Sequence, residues 1–454
     1  MKRIPIIYSA SARIASFGDD ASAYIILRKF FKNYIQITEK GSAWISSLSK
    51  EVKSLDLGLN SASASYVESL KSGSFLEIAN ELVDYEFVIH APVSPPYKIN
   101  PLRFIMNSPA LSHAYENKRY FREEFSDIIN IPKYQTKILD ELRNKDSYGI
   151  LAKKYGQIFV IQDAESSGSQ GTFIINSESE YLNVLQSLKK TDKKTTFVIS
   201  EFIEGESASV QVCITKYGIL TSGILSQLVK SPQLCNDKLP GTNKWCGGEI
   251  GHVYPNAVNK QALHIAQKVG AELSSNGYKG IFGIDLLITP ENQVYAIEIN
   301  ARLTGFTHVV SEMQYKEGMI PMLLLHVLEL SNIPYKVLDL DALPSILDQE
   351  DNLLSYLLVM NPLKKSFRLA KDIPSGVYRV GVGIEFIKKS NSISDLRNKN
   401  QILIQCTIFS KGDHVASGKR ILKIYRNGES LQNDELNQQS QEIVRKVKQH
   451  FNLP

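Results

Sequence analysis

Apolar residues along this chain fall into short strand-like runs broken by turn clusters, with fewer stretches at helical spacing. The runs RIPIIYSA and YEFVIHAPV flank a helix-like segment, Ala21 to Phe31, and lead into the turn-rich APVSPPYKINP, which predicts a small α/β domain over residues 1–112. A helix is predicted from Asn117 to about Ile129, then strands and a glycine-bearing loop to about Ser200. A second α/β unit follows from Glu201 to about Ile320. The Pro-, Asp- and Leu-rich stretch Ser331 to Asn352 reads as a connector. Beyond it, VYRVGVGIEFI and QILIQCTIF predict a β-rich tail over residues 353–454, closed by a helix from Asn433 to His450.

One pair of runs carries chemistry. In GIFGIDLLITPENQVYAIEINAR, Ile281 to Ile288 and Val294 to Ile299 flank Thr289 to Gln293, a segment of turn residues, so a hairpin is predicted. Pairing symmetric about Glu291-Asn292 sets Asp285 directly opposite Glu298. Opposed side chains on one face lie about 4.5–5.5 Å apart, where two ionised carboxylates repel unless a cation joins them. Alternation puts Glu298 and Asn300 on one side and Ile297 and Ile299 on the buried one. An oxygen-only set without His or Cys selects Mg²⁺ or Mn²⁺ over zinc or copper, and magnesium completes its octahedron with water and phosphate oxygens. The cluster therefore implies a nucleotide triphosphate, with Arg302 in reach of charge developing beside the metal. The competing reading is a solvated hairpin.

Composition narrows the class without deciding it. At 454 residues the chain exceeds one core; 43% hydrophobic and 22% charged residues describe an ordinary globular protein. A net charge of +5 is too mild to mark a nucleic-acid binder. The apolar run after Met1-Lys2-Arg3 is too short for a signal peptide, and Met319 to Leu330 is too short to span a bilayer. Cys213, Cys235, Cys246 and Cys406 form no CxxC pair, which suits a reducing cytoplasm. The expected compartment is the cytoplasm, with no membrane and no nucleic acid as partner.

Two further stretches bear on the nucleotide. IFVIQDAESSGSQGTFII is a strand, a Ser/Gly loop and another strand, whose Ser166 to Gly171 can offer N–H and hydroxyl groups to phosphates; GxxxxGK[ST] is absent. TTFVISEFIEGESASVQV runs from strand to strand through Glu201 to Glu206, where exposed backbone can meet an adenine edge and a carboxylate the ribose. Each taken alone is as well read as an ordinary hairpin.

In order, a Lys-bearing helix, a Ser/Gly hairpin, EFIEGE, GIDLLI and EINAR resemble the ATP-grasp superfamily over roughly Asn117 to His308. The resemblance implies a multidomain α/β and α+β chain. A pre-ATP-grasp domain (1–112) would precede a two-lobed core, with a small lobe at 113–200 and a large lobe at 201–330, and a β-rich C-terminal domain (353–454) would follow. It implies ATP with Mg²⁺ or Mn²⁺ as cofactors. Lys118 matches the first phosphate-binding lysine, with a solvated lysine as the alternative. Ser167, Ser169, Gln170 and Gly171 match the phosphate lid; Glu201, Phe202 and Ile203 match the adenine hinge, and Glu206 the ribose carboxylate. Asp285, Glu298 and Asn300 match the metal ligands, and Arg302 the catalytic arginine. Gln162 stands where the family usually has a second lysine, so its charge must come from elsewhere, with Lys153 and Lys154 as candidates, or binding is weaker. The implied activity is an ADP-forming carboxylate–amine ligase acting through an acyl phosphate on small molecules, amino acids or short peptides among them, with a homodimer allowed. Biotin-carboxylase-like or carbamoyl-phosphate-forming chemistry, or a nucleotide-binding regulator without turnover, are the alternatives. Arg379, Lys419 and Arg420 in the tail are expected to hold a substrate carboxylate, with a stabilising or dimerising module carrying solvated basic residues as the competing reading.

Overall fold

The computed structural model describes residues 4–18, 23–38, 53–56, 70, 72–90, 103–166, 171–236, 245–331, 333–344 and 353–454. The N-terminal segment builds a five-stranded parallel sheet in the order 53–56, Asn33–Thr38, Arg13–Phe17, Glu86–Val88, Arg103–Ile105. Phe17, Phe75 and Phe87 pack between this sheet and the helix Gly73–Glu81. Of the predicted helix Ala21 to Phe31, residues 21 and 22 lie outside the described residues, and Ile25–Lys29 forms a 3-10 helix.

A second sheet is antiparallel and four-stranded, ordered Tyr134–Ile138, Thr196–Glu201, Phe159–Asp163, Thr172–Ile175. Its core unites Phe159, Ile161 and Phe197 with Leu151 and Tyr181 of the helices Ser147–Tyr155 and Glu178–Ser187. The helix expected near Asn117 runs from Lys118 to Phe125. Asn117 caps it, its side chain accepting from the N–H groups of Arg119 at 3.0 Å and Tyr120 at 3.1 Å.

The third sheet has ten antiparallel strands, ordered Val294–Asn300, Gly280–Ile288, Glu206–Thr215, Gly218–Val229, Trp245–Ile250, Leu354–Met360, Arg420–Asn427, Gln401–Gln405, Gly376–Val380, Ile384–Lys389. Helix Asn256–Ser275 covers one face of its first half through Val258, Ile265 and Val269, while Thr307–Glu317 and Met322–Leu330 belong to the core on the other. Burial on both faces explains why Gly280–Ile288 reads as a nearly continuous apolar run.

The tail thus adds its strands to the sheet that carries the acidic hairpin. Leu354–Met360 pairs with Trp245–Ile250, where Gly247 takes φ +110° and any side chain on Gly248 would strike the Ser226 carbonyl. The segment read as a connector is not free either, since Tyr335–Val337 pairs with Ile6–Tyr8. The final helix starts at Gln438, because Leu431–Gln432 and Glu435–Leu436 form a hairpin first, turned through Asn433 and Asp434 at φ 51° and 60°. No helix among the described residues is long and apolar enough to cross a membrane.

Candidate active site

The acidic hairpin brings Asp285 opposite Glu298, by a route that alternation alone does not supply. Ile288 pairs with Val294, Leu287 with Tyr295 and Leu286 with Ala296, a register that would set Asp285 against Ile297. A bulge at Ile297 inserts one residue and restores Glu298 to the position across from Asp285. Because of that bulge, Ile297 is not buried with Ile299 as alternation predicts. It faces the same cleft as Glu298.

Asp285 is enclosed by donors: Gln227 Nε2 donates to its Oδ1 at 3.0 Å and Asn300 Nδ2 to its Oδ2 at 3.1 Å. Burial, and next the facing Glu298, push its carboxyl up to about 7 against those two hydrogen bonds. Arg302 donates to Asn300 Oδ1 at 2.7 Å and pairs with Glu116 Oε1 at 3.1 Å. Lys118 is buried rather than solvated. Its ammonium lies 3.3 Å from Glu298 Oε2 and donates to the Ser166 carbonyl.

These groups stand between two cavities. The larger, about 940 Å³, opens between the four-stranded and ten-stranded sheets and holds Gln162, Glu201, Phe202, Ile203, Asp285 and Glu298 in its wall. The smaller, about 310 Å³, is walled by His113, Glu116, Lys118, Ser166, Asn300 and Arg302, and also by Glu298. Glu298 is therefore common to both walls. Ser166 and Thr172, which flank the expected lid, line the small and large cavities respectively; Ser167, Ser169 and Gln170 lie outside the described residues. Gly171 accepts from Asp163 N at 2.9 Å and is packed against Ser166 and Asp163, where no Cβ would fit.

The hinge residues separate into two kinds. Phe202 and Ile203 line the large cavity, whereas Glu201 Oε1 accepts from Lys133 N at 2.8 Å and so also ties the end of its strand to the neighbouring chain. Glu206 does not line the cavity. Its carboxylate accepts from the Tyr254 hydroxyl, and burial raises its pKa, while Glu204 faces the cavity instead. Gln162 is buried against the large cavity, donating to Thr172 Oγ1 at 3.3 Å. Lys153 and Lys154 are not in either wall; Lys154 binds the Gln135 side chain at 2.5 Å. Arg379, Lys419 and Arg420 are absent from both walls too, and Arg379 is exposed and paired with Glu385 at 3.0 Å. What the tail does contribute to the large cavity is Asp434, at the tip of its hairpin.

Sequence reasoning missed Arg122, Gln227, Lys230, Glu204 and Asp434, all of which line the large cavity. For Arg122 a signal existed: Lys118, Phe121, Arg122 and Phe125 are the buried residues of their helix, at i, i+3, i+4 and i+7, so two cations share its inward stripe. For Gln227 and Asp434, brought in from distant strands, the sequence carries no local sign.

Among the described residues no group of three or more His, Cys, Asp or Glu side chains is arranged to hold a metal ion. Two carboxylates and an amide fit magnesium, which keeps few protein ligands and takes the remainder from water and phosphate. The facing pair Asp285 and Glu298, whose Asp285 carboxyl is raised first by burial and next by Glu298, fits a cation at this point.

A model of the protein family described as the ATP-grasp domain matches residues 115–306, the span from the Lys118 helix through the acidic hairpin. Residues 115–306 are thus those of an ATP-grasp domain. Solved structures of the same fold extend over almost its whole length. Biotin carboxylase from Campylobacter jejuni aligns at 13% identity and TM-score 0.61, over 96% of this chain and 90% of that one. Phosphoribosylamine–glycine ligase from Thermotoga maritima aligns at 15% identity and TM-score 0.57, over 96% of each chain. N5-carboxyaminoimidazole ribonucleotide synthetase from Thermus thermophilus aligns at 10% identity and TM-score 0.52, over 96% of this chain and 98% of that one. No curated protein matches the chain by sequence. The ATP-grasp assignment agrees with the arrangement of the site: a cleft between two sheets, with an oxygen-donor cluster at its inner end.

Proposed function

We propose that this ATP-grasp protein is an ADP-forming carboxylate–amine ligase that joins two small molecules through an acyl phosphate. The observation that carries the reading is the position of Glu298 in the wall common to both cavities, with Asp285 on the larger side and Asn300 and Arg302 on the smaller. ATP fits the large cavity, with its adenine against Phe202 and Ile203 and its phosphates toward Asp285 and Glu298. The acid fits the small cavity, beside Arg302 and Lys118.

Asp285, Glu298 and Asn300 would hold magnesium, which when bound neutralises charge on the β and γ phosphates. A carboxylate oxygen of the acid attacks the γ phosphorus, and the bond to the β–γ bridging oxygen breaks with its electron pair leaving on ADP. Lys118 and Arg302 stabilise the negative charge on the transferred phosphoryl group. The amine nitrogen then attacks the acyl carbon, phosphate leaves with the C–O electrons, and the nitrogen gives up a proton to form the amide.

Amino acids and short peptides are the acids and amines we favour, because an arginine and a lysine at a 310 Å³ cavity suit a small carboxylate. A related structure, the biotin carboxylase domain of the Hydrogenobacter thermophilus 2-oxoglutarate carboxylase, is described in complex with MgADP and bicarbonate, so bicarbonate belongs in the same test. The experiment is a phosphate-release screen of amino acids, dipeptides, small carboxylates and bicarbonate, singly and in pairs, with ATP and magnesium. Release that requires both an acid and an amine, with ADP as the nucleotide product, supports the ligase. AMP and pyrophosphate, or bicarbonate as the sole effective acid, would overturn it.

A further inference from the structure

Arg122 is 1% exposed, yet it lines the large cavity. Its two hydrogen bonds are long and run to neutral oxygens: one terminal nitrogen donates to the Ala296 carbonyl at 3.4 Å, the other to Gln162 Oε1 at 3.4 Å. Its Nε has no hydrogen-bond partner. Burial lowers its pKa to about 10, so it stays charged at neutral pH, and the charge that stabilises it most is Glu298. A buried guanidinium at the wall of a cleft, held by two long neutral contacts and with a buried Nε–H left unpartnered, is a costly arrangement unless an anion completes it.

Gln162 shows which way the pair is built. Its Oε1 is turned to Arg122 and its Nε2 to Thr172, so the amide supports the guanidinium rather than replacing a cation itself. A lysine at position 162 would set a second positive charge against Arg122. Lys118 and Arg122 lie one helical turn apart on one inward stripe, the lysine at the small cavity and the arginine at the large one.

We infer that Arg122 is a phosphate-binding residue of this site, its guanidinium contacting a nonbridging oxygen of the nucleotide's phosphate chain beside Gln162. The inference rests on the nucleotide reading above. It makes the glutamine at 162 the complement of a cation delivered from the helix, so the site's positive charge is relocated and not lost.

The test is calorimetric titration of the full-length protein with Mg-ATP and with adenosine, for Arg122→Gln, Gln162→Lys and the double variant. Loss of a charge-assisted contact should weaken Mg-ATP by about 10- to 100-fold in Arg122→Gln. Adenosine binding should be unchanged. Gln162→Lys alone should not tighten Mg-ATP, because the new charge sits against Arg122. In the double variant, the lysine should restore most of the lost affinity. If Arg122→Gln fails to fold, Arg122→Met, an apolar replacement of similar length, is titrated instead with the same expectation. Mg-ATP affinity within twofold of wild type in Arg122→Gln or Arg122→Met, or a double variant no tighter than the single, would overturn the assignment. Failure of the wild type to bind Mg-ATP would instead overturn the nucleotide reading itself.

Discussion

Lys118 Nζ lies 3.3 Å from Glu298 Oε2, joining the first residue of one helix to a hairpin strand 180 positions along the chain. The side chains are 5% and 26% exposed, so water screens this pair little. Glu298 thus stands among charges of both signs, with the Lys118 ammonium and the Arg122 guanidinium on one hand and the facing Asp285 carboxyl on the other.

Glu298→Gln should leave the ligand-free protein about as stable as wild type, because removing the charge relieves Asp285 and deprives Lys118 at the same time. A melting temperature within about 3 °C of wild type is expected. The upward shift that Mg-ATP gives the wild type should be lost. Thermal scans with and without Mg-ATP decide the matter, and a large fall in the ligand-free scan would mean that the cluster is structural.

Arg302→Lys separates the two cavities. Arg302 lines only the smaller, and a lysine cannot both donate to Asn300 and pair with Glu116 in the same planar geometry. Turnover should fall about 100-fold. Affinity for Mg-ATP should change by less than about threefold. Steady-state kinetics beside equilibrium binding measure the split; equal losses in both would place the arginine on the nucleotide.

A chain ended before Leu353 should not fold. It would bare the edge of Trp245–Ile250 and strip Glu249, 1% exposed, of the donors Ser430 N and Leu431 N, the latter at 2.9 Å. The apolar core that Leu225, Ile250 and Phe306 share with Leu357, Ile404 and Tyr425 would be opened to water as well. Circular dichroism and proteolysis of the truncated chain check this, and a protease-resistant fragment with native-like melting would contradict it.

Glu312 carries a pH dependence. It accepts from Ile393 N at 3.1 Å, with Lys29, Lys423 and Arg28 nearby, yet burial pushes it up from 4.5 to about 7. Between those values the folded state holds a proton that the unfolded chain has released, so stability falls as pH rises through the window and the loss is complete above about 7. Glu312→Gln has no such proton to lose. Its stability relative to wild type should improve by up to about 3 kcal/mol between pH 4.5 and pH 8. Denaturant titrations at both pH values measure it, and an equal difference at the two would sink the assignment.

Period-two alternation and turn chemistry around Thr289 to Gln293 were enough to predict the hairpin and the shared end of its two acidic residues, because a tight turn pairs residues only a few positions apart; the bulge, not the alternation, then aligns Asp285 with Glu298. The helix start near Asn117 was equally legible, since what opens it is local: Asn117 accepts from the N–H groups two and three residues on. The sequence alone therefore determined the acidic hairpin, the lysine-bearing helix and the resemblance to an ATP-grasp domain that they carry. The bulge at Ile297 escaped it, because an extra residue in one strand is invisible until the partner's register is known. Long-range geometry decided the remainder: that Leu354–Met360 would extend the sheet at Trp245–Ile250, that Asp434 would reach the large cavity, and that Arg122 would end beside Gln162. A strand's pattern records which face it buries and says nothing of which edge it joins. A charged residue's neighbours within the chain likewise do not record which distant groups will be packed against it, and so where the site's positive charge sits was settled only by tertiary packing.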